Sequence, residues 1–86
     1  AYGGAAFARD GTLWATSDEG SEFQRLGTID LATGRFRPVV TDINWDVESF
    51  DIAEDGSFIA FTTNEAGSSK LYILDPRTGR RRSVDT

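Results

Sequence analysis

The chain has no cysteine, no histidine and no methionine, and only two prolines in 86 residues. Without cysteine there is no disulfide framework and no thiolate chemistry. Without histidine the commonest general base and metal ligand is missing, and with it any Ser-His-Asp or Cys-His machinery built from these residues alone. Basic residues are also scarce. Nine Lys+Arg stand against 14 Asp+Glu, for a formal net charge of −5, which argues against a nucleic-acid or anionic-membrane surface. Apolar runs extend only a few residues, far short of a bilayer span. Ala1-Tyr2-Gly3-Gly4 has neither the basic nor the apolar segment of a secretion signal. The missing initiator Met is expected of a processed chain or an excised piece. A cysteine-free composition suits cytoplasm and periplasm alike. The length allows one small domain at most, burying roughly 60–65% of its unfolded surface.

What the sequence does contain is a repeat. Displaced by 45, Ala8-Arg9-Asp10-Gly11-Thr12-Leu13-Trp14-Ala15 falls on Ala53-Glu54-Asp55-Gly56-Ser57-Phe58-Ile59-Ala60. Without a gap, Leu26 falls on Leu71, Asp30 on Asp75, and Thr33-Gly34-Arg35 on Thr78-Gly79-Arg80. Residues 8–41 and 53–86 share 12 identities in 34 positions, where average residue usage gives about two by chance. Several identities are turn residues, whose type is dictated by backbone geometry.

Each unit reads as strands. Phe58 to Thr63 and Leu71 to Leu74 are rich in β-branched and aromatic residues and too short for helices. Asp10-Gly11 and Asp55-Gly56 are hairpin signals, with glycine free to take a positive φ. Asp30-Leu31-Ala32-Thr33-Gly34 and Asp75-Pro76-Arg77-Thr78-Gly79 are second turns, in which the Asp side chain accepts a local N–H. The polar stretches 18–24 and 64–69 are expected to be longer loops. The predicted strands are 3–8, 12–17, 25–31 and 35–40, then 47–53, 57–63, 70–75 and 80–84.

A four-stranded antiparallel meander recurring every 40–45 residues is the pattern of a β-propeller blade. The expectation is an all-β chain of two such blades, 1–44 and 45–86, forming one partial propeller. Phe58, Ala60 and Thr62 point one way, Ile59 and Phe61 the other, and both sets are largely apolar. A sheet apolar on both faces needs cover on both, as when blades stack around an axis. Two blades do not close a ring, since propellers have about four to eight. Three packings follow: a fragment of a larger propeller, a propeller completed by three or four copies, or a small sandwich closing its apolar faces on each other.

With the repeat defined, Trp45 to Phe61, the Asn64-Glu65-Ala66-Gly67 loop and Leu71-Tyr72-Ile73-Leu74-Asp75-Pro76-Arg77-Thr78-Gly79 carry a resemblance. Together with Thr16 to Leu26 in the preceding unit, they resemble the propeller of prolyl-oligopeptidase-family serine peptidases, including acylaminoacyl-peptidase and dipeptidyl-peptidase-like members. The likeness covers nearly all of the chain. TolB-like periplasmic propellers share the blade pattern; the Trp-Asp-Val-Glu and Asn-Glu features favour the peptidases. The chain departs from the family where Ser-Pro usually precedes Asp-Gly, having Ala8-Arg9 and Ala53-Glu54 instead.

The resemblance implies a non-catalytic cap that gates peptide access to an α/β-hydrolase domain outside these residues. Gly56-Ser57 and Gly67-Ser68 do not fit a Gly-x-Ser-x-Gly elbow, so no catalytic residue is carried over. The implied partners are the remaining blades or further copies, the hydrolase domain and, only indirectly, peptide substrate. No cofactor, nucleic acid or membrane is expected.

Other candidates are weighed on their residues. Glu19 and Glu22 stand in the acidic loop Asp18-Glu19-Gly20-Ser21-Glu22, which lacks EF-hand spacing and reads more simply as solvated than as a cation or amine site. Arg80-Arg81-Arg82 divides its charge between two strand faces, and residues 44–86 carry 5 basic against 8 acidic groups. Trp14, on the repeat position of Ile59, reads as core. Trp45, at the blade junction, is a possible contact surface together with Glu19 and Glu22. Asp10, Gly11, Asp30, Gly34, Asp55, Gly56, Asp75 and Gly79 read as structural turn positions.

Overall fold

The computed structural model describes residues 2–84, with β1 Tyr2–Phe7, β2 Leu13–Ser17, β3 Arg25–Ile29, β4 Phe36–Pro38, β5 Asp46–Ile52, β6 Ile59–Glu65, β7 Ser68–Leu74 and β8 Arg81–Val84. Among the described residues there is no helix. The chain is all-β, as its period-two patterning dictates. Strands β1 to β4 form one antiparallel sheet in chain order, and β5 to β8 form a second. Neither sheet is closed, and this is the layout of partial propeller blades.

The two Asp-Gly turns are tighter than open loops, yet neither is a two-residue hairpin. Gly11 N donates to Ala8 O at 3.0 Å, and Ala8 N to Thr12 O at 2.8 Å. Gly11 has φ 91°, the left-handed residue that follows a type I turn in three-residue hairpins. Asp10 fixes the turn by accepting from Thr12 N at 2.9 Å. The second turn has one more residue. Gly56 N again donates to Ala53 O, but Ala53 N now pairs with Phe58 O. The stretch 64–69, expected as a loop, is instead a tight turn. β6 and β7 stay paired out to Glu65 and Ser68, with Ala66 and Gly67 between them at φ 54° and 87°. The Asn64 side chain stabilises that turn, accepting from Gly67 N at 3.1 Å.

The extra residue in the second Asp-Gly turn changes which faces match. In the first sheet, Phe7, Leu13, Ile29 and Phe36 form a row across the strands; in the second, the same row is Ile52, Ile59, Leu74 and Arg81. We call this face the front. The next row points to the back: Ala6, Trp14, Thr28 and Arg37 in the first sheet, Asp51, Ala60, Ile73 and Arg82 in the second. Trp14 therefore matches Ala60 in the ladder, not Ile59 as the gapless repeat has it. A one-residue slip moves a strand's side chains to the other face.

The interior lies between the back of the first sheet and the front of the second. One cluster joins Trp14 and Leu26 to Val47, Ile59, Phe61, Tyr72 and Leu74, closed at the connection by Val40. Leu26, Ile59 and Leu74 are fully buried, each contributing about 1.5–3 kcal/mol of transfer free energy. The inner strands also meet at Gly4, where an added Cβ would stand in ordinary contact with the Phe50 ring at 3.9 Å. The sheets thus stack front to back. A sandwich closing on like faces would instead have set Leu13 and Ala15 against Ile59 and Phe61.

Candidate functional site

A concavity with an apolar floor follows the seam between the sheets at the Asp-Gly end. It is a groove of about 490 Å³, with Trp14, Val39, Ile52 and Ile59 among its lining and Arg9 and Arg77 at the mouth. Both Asp-Gly turns border it through Asp10, Asp55 and Gly56, and Arg9 Cβ lies 4.0 Å from where a Gly56 Cβ would stand. The sequence repeat placed these turns in separate units; front-to-back stacking brings them together. Asp10 and Asp55 spend their carboxylates on the turns themselves. Asp10 Oδ1 accepts from Thr12 N, while Asp55 Oδ1 accepts from both Ser57 N (3.0 Å) and Ser57 Oγ (2.7 Å). These bonds hold both carboxyls below their ordinary value of 3.8.

Asp30 and Asp75 form the second pair of turns by one recipe. Each donates its N–H to an arginine carbonyl five residues on and accepts a glycine N–H four residues on. Each Oδ1 also accepts the N–H two residues on, Ala32 at 2.8 Å and Arg77 at 2.9 Å. Gly34 and Gly79 take φ 74° and 75°. Glu19 and Glu22 are exposed in the 18–24 loop at the opposite end. That loop is tied to the start of β5: Asp46 Oδ1 accepts from Gln24 N at 2.7 Å, and Val47 N donates to Gln24 O at 2.9 Å. Trp45, 41% exposed, sits next to this tie. Among the described residues no three His, Cys, Asp or Glu side chains gather as a metal site.

Sequence reasoning passed over a polar seam on the front of the second sheet. Glu65 Oε2 accepts from Thr63 Oγ1 at 2.7 Å and from Tyr72 OH at 2.9 Å. The Tyr72 ring stacks on Phe61 at 5.1 Å and carries Lys70 Nζ at 5.5 Å and Arg81 Cζ at 5.6 Å. Arg81 then reaches Asp42 in the inter-sheet connection, with Nη1–Oδ1 at 2.8 Å and Nη2–Oδ2 at 2.9 Å. The Thr63 hydroxyl holds Glu65 below its ordinary value, and the Arg81 guanidinium does the same for Asp42. The one advance signal was alternation, which puts Thr63, Lys70 and Tyr72 on the face of Phe61.

The carboxyls of Asp10, Asp42, Asp55 and Glu65 are all held below their ordinary values. These groups are charged acceptors at neutral pH and brace the turns and the seam that hold them. No protein-family model matches the chain, and no curated protein matches it either.

Proposed function

We propose that the chain is a non-catalytic pair of consecutive propeller blades, acting as scaffold in the cap that gates peptide entry to a serine-peptidase domain outside these 86 residues. The supporting observation is the front-to-back stacking of two sheets that match row by row. Stacking of this kind extends in one direction, each sheet receiving the next, and a ring of blades is built so. The restriction to a peptidase cap comes from the Asn64-Glu65-Ala66-Gly67 and Leu71 to Gly79 motifs. Its chemistry is division of labour: the blades exclude bulky substrates and supply walls, while a triad elsewhere cleaves.

A serine-directed fluorophosphonate probe tests this reading on the gene product that carries these residues. The expected result is labelling of a serine in a Gly-x-Ser-x-Gly segment outside residues 1–86, with no label on the 86-residue chain. A gene product that takes no label and has no such segment overturns the peptidase assignment.

A further inference from the structure

The row-by-row match leaves two unlike faces open, and they are the same two kinds of face that already meet inside the chain. The inner joint sets a first-sheet back against a second-sheet front. What remains is the back of the second sheet and the front of the first. On the open back, Ala60, Thr62, Leu71, Ile73 and Val84 are all half-buried with no sheet over them. Phe58 stands 41% exposed at its edge, sharing with Ile73 a depression of about 330 Å³. On the open front, Leu13 and Ile29 are half-buried and Phe7 is 65% exposed. Phe7 occupies the row position of Ile52, which lines the inner joint.

We infer that the back of the second sheet is a docking face for a second copy of this chain, received through the front of that copy's first sheet. The inference rests on reading the sheets as consecutive blades and concerns these 86 residues by themselves, where no further blade is present to take the copy's place; it goes beyond that reading by naming the faces and the occupant. A copy is the matching occupant because each chain carries both halves of the joint. The new contact would continue the inner joint in the same direction. The joint is heterologous, so copies add head to tail and close when the rotation permits. Three or four copies supply six or eight blades, within the range of about four to eight that closes.

Sedimentation velocity and native mass spectrometry on the 86-residue chain test this. The expected species is a discrete trimer or tetramer. Phe7→Glu blocks the open front and Ile73→Glu the open back, so each variant alone is monomeric. Mixed, they form a one-to-one dimer and nothing larger, since each still offers one intact half of the joint. Circular dichroism checks that both variants keep their strands, and Phe58→Glu replaces Ile73→Glu if the latter unfolds. An oligomer that survives in either variant, or folded variants that fail to pair, overturns the proposal. Trp45→Phe leaves Trp14, 4% exposed, as the sole tryptophan. A monomer with blue-shifted Trp14 emission overturns the docking and leaves the paired-blade reading standing. A monomer with water-exposed Trp14 overturns both.

Discussion

The ring of Phe36 lies over Gly27 so closely that a β-carbon added to Gly27 would sit 2.8 Å from Phe36 Cζ. In the second sheet the equivalent rows place Tyr72 where Gly27 stands and Arg81 where Phe36 stands. Within the β3–β4 and β7–β8 pairs, the front aromatic thus comes from different strands, β4 in the first sheet and β7 in the second. An aromatic laid over a strand glycine restores the packing that the glycine lacks. Gly27→Ala is expected to cost about 2–3 kcal/mol, because its methyl would also meet the Arg37 carbonyl and Pro38 Cα. Phe36→Ala is expected to cost about 3 kcal/mol. Urea denaturation followed by circular dichroism measures both, and a loss under 1 kcal/mol in either contradicts this packing.

The joint between the sheets carries most of the buried apolar surface, so the sheets are expected to unfold together. Trp14→Ala removes the largest side chain that the first sheet contributes to the joint and is expected to cost about 3–5 kcal/mol. In the Trp45→Phe background, Trp14 fluorescence and the β-sheet circular dichroism signal should give coincident urea transitions. Separate transitions would mean that the sheets fold independently and that the joint contributes little.

Ala66 holds a left-handed φ of 54° in the β6–β7 turn, followed by Gly67 at 87°. Two central residues of positive φ are the hallmark of a type I′ hairpin, for which Asn-Gly is preferred. Ala66→Asn is therefore expected to stabilise by about 0.5–1 kcal/mol, since asparagine tolerates this region better than alanine. Gly67→Ala is expected to destabilise by about 1 kcal/mol for the same backbone reason. Thermal melts of the two variants should move in opposite directions; the same sign for both would contradict the turn geometry.

Strand content, the Asp-Gly turns and the repeated Asp-x-x-Thr-Gly-Arg turns were legible because each is a local matter of side-chain type and a glycine φ. The facing of the sheets was not. It hinges on the single residue by which the Ala53–Phe58 turn exceeds the Ala8–Thr12 turn, and a gapless alignment conceals that residue because the stretch 64–69 is one shorter than 18–24. The hairpin at Ala66-Gly67 was missed because its neighbours Asn64, Ser68 and Ser69 are polar, although they continue the strands. Tyr72 was legible as a strand aromatic, but its partners Glu65 and Arg81, and the Asp42 that Arg81 reaches, come from three other segments, and no spacing announces them.

The Arg81–Asp42 bridge ties β8 to the inter-sheet connection, yet the Asp42 side chain is 67% exposed and that of Arg81 25%. Solvent screening limits such a pair to about 0–1 kcal/mol. Asp42→Asn is expected to lower stability by about 0.5 kcal/mol, with the difference shrinking as salt is raised. Arg81→Ala should cost more, because it also uncovers the Tyr72 ring and strips a guanidinium 5.6 Å from it. Urea melts at low and high salt separate the two contributions: salt should narrow the Asp42→Asn difference and leave most of the Arg81→Ala difference. Equal losses insensitive to salt would contradict this division.

The pH dependence follows from which groups titrate and in which direction they are held. Asp10, Asp42, Asp55 and Glu65 all have folded-state values below their ordinary 3.8 or 4.5. The unfolded chain therefore binds more protons than the folded one in this range, and stability rises with pH. The contribution is fully present above the ordinary carboxylate values and is lost as pH falls through the lowered ones. With no histidine in the chain, no side chain of ordinary pKa titrates between pH 6 and 8. Tm is expected to be flat across that interval and to decline from about pH 4.5 downward. The turn bonds predict a further detail: Asp55→Asn removes one of the depressed carboxyls, so its Tm deficit should shrink as pH drops from 5 to 3. A deficit that stays constant over that range would show that the Asp55 charge, as distinct from its hydrogen bonds, does not stabilise the turn.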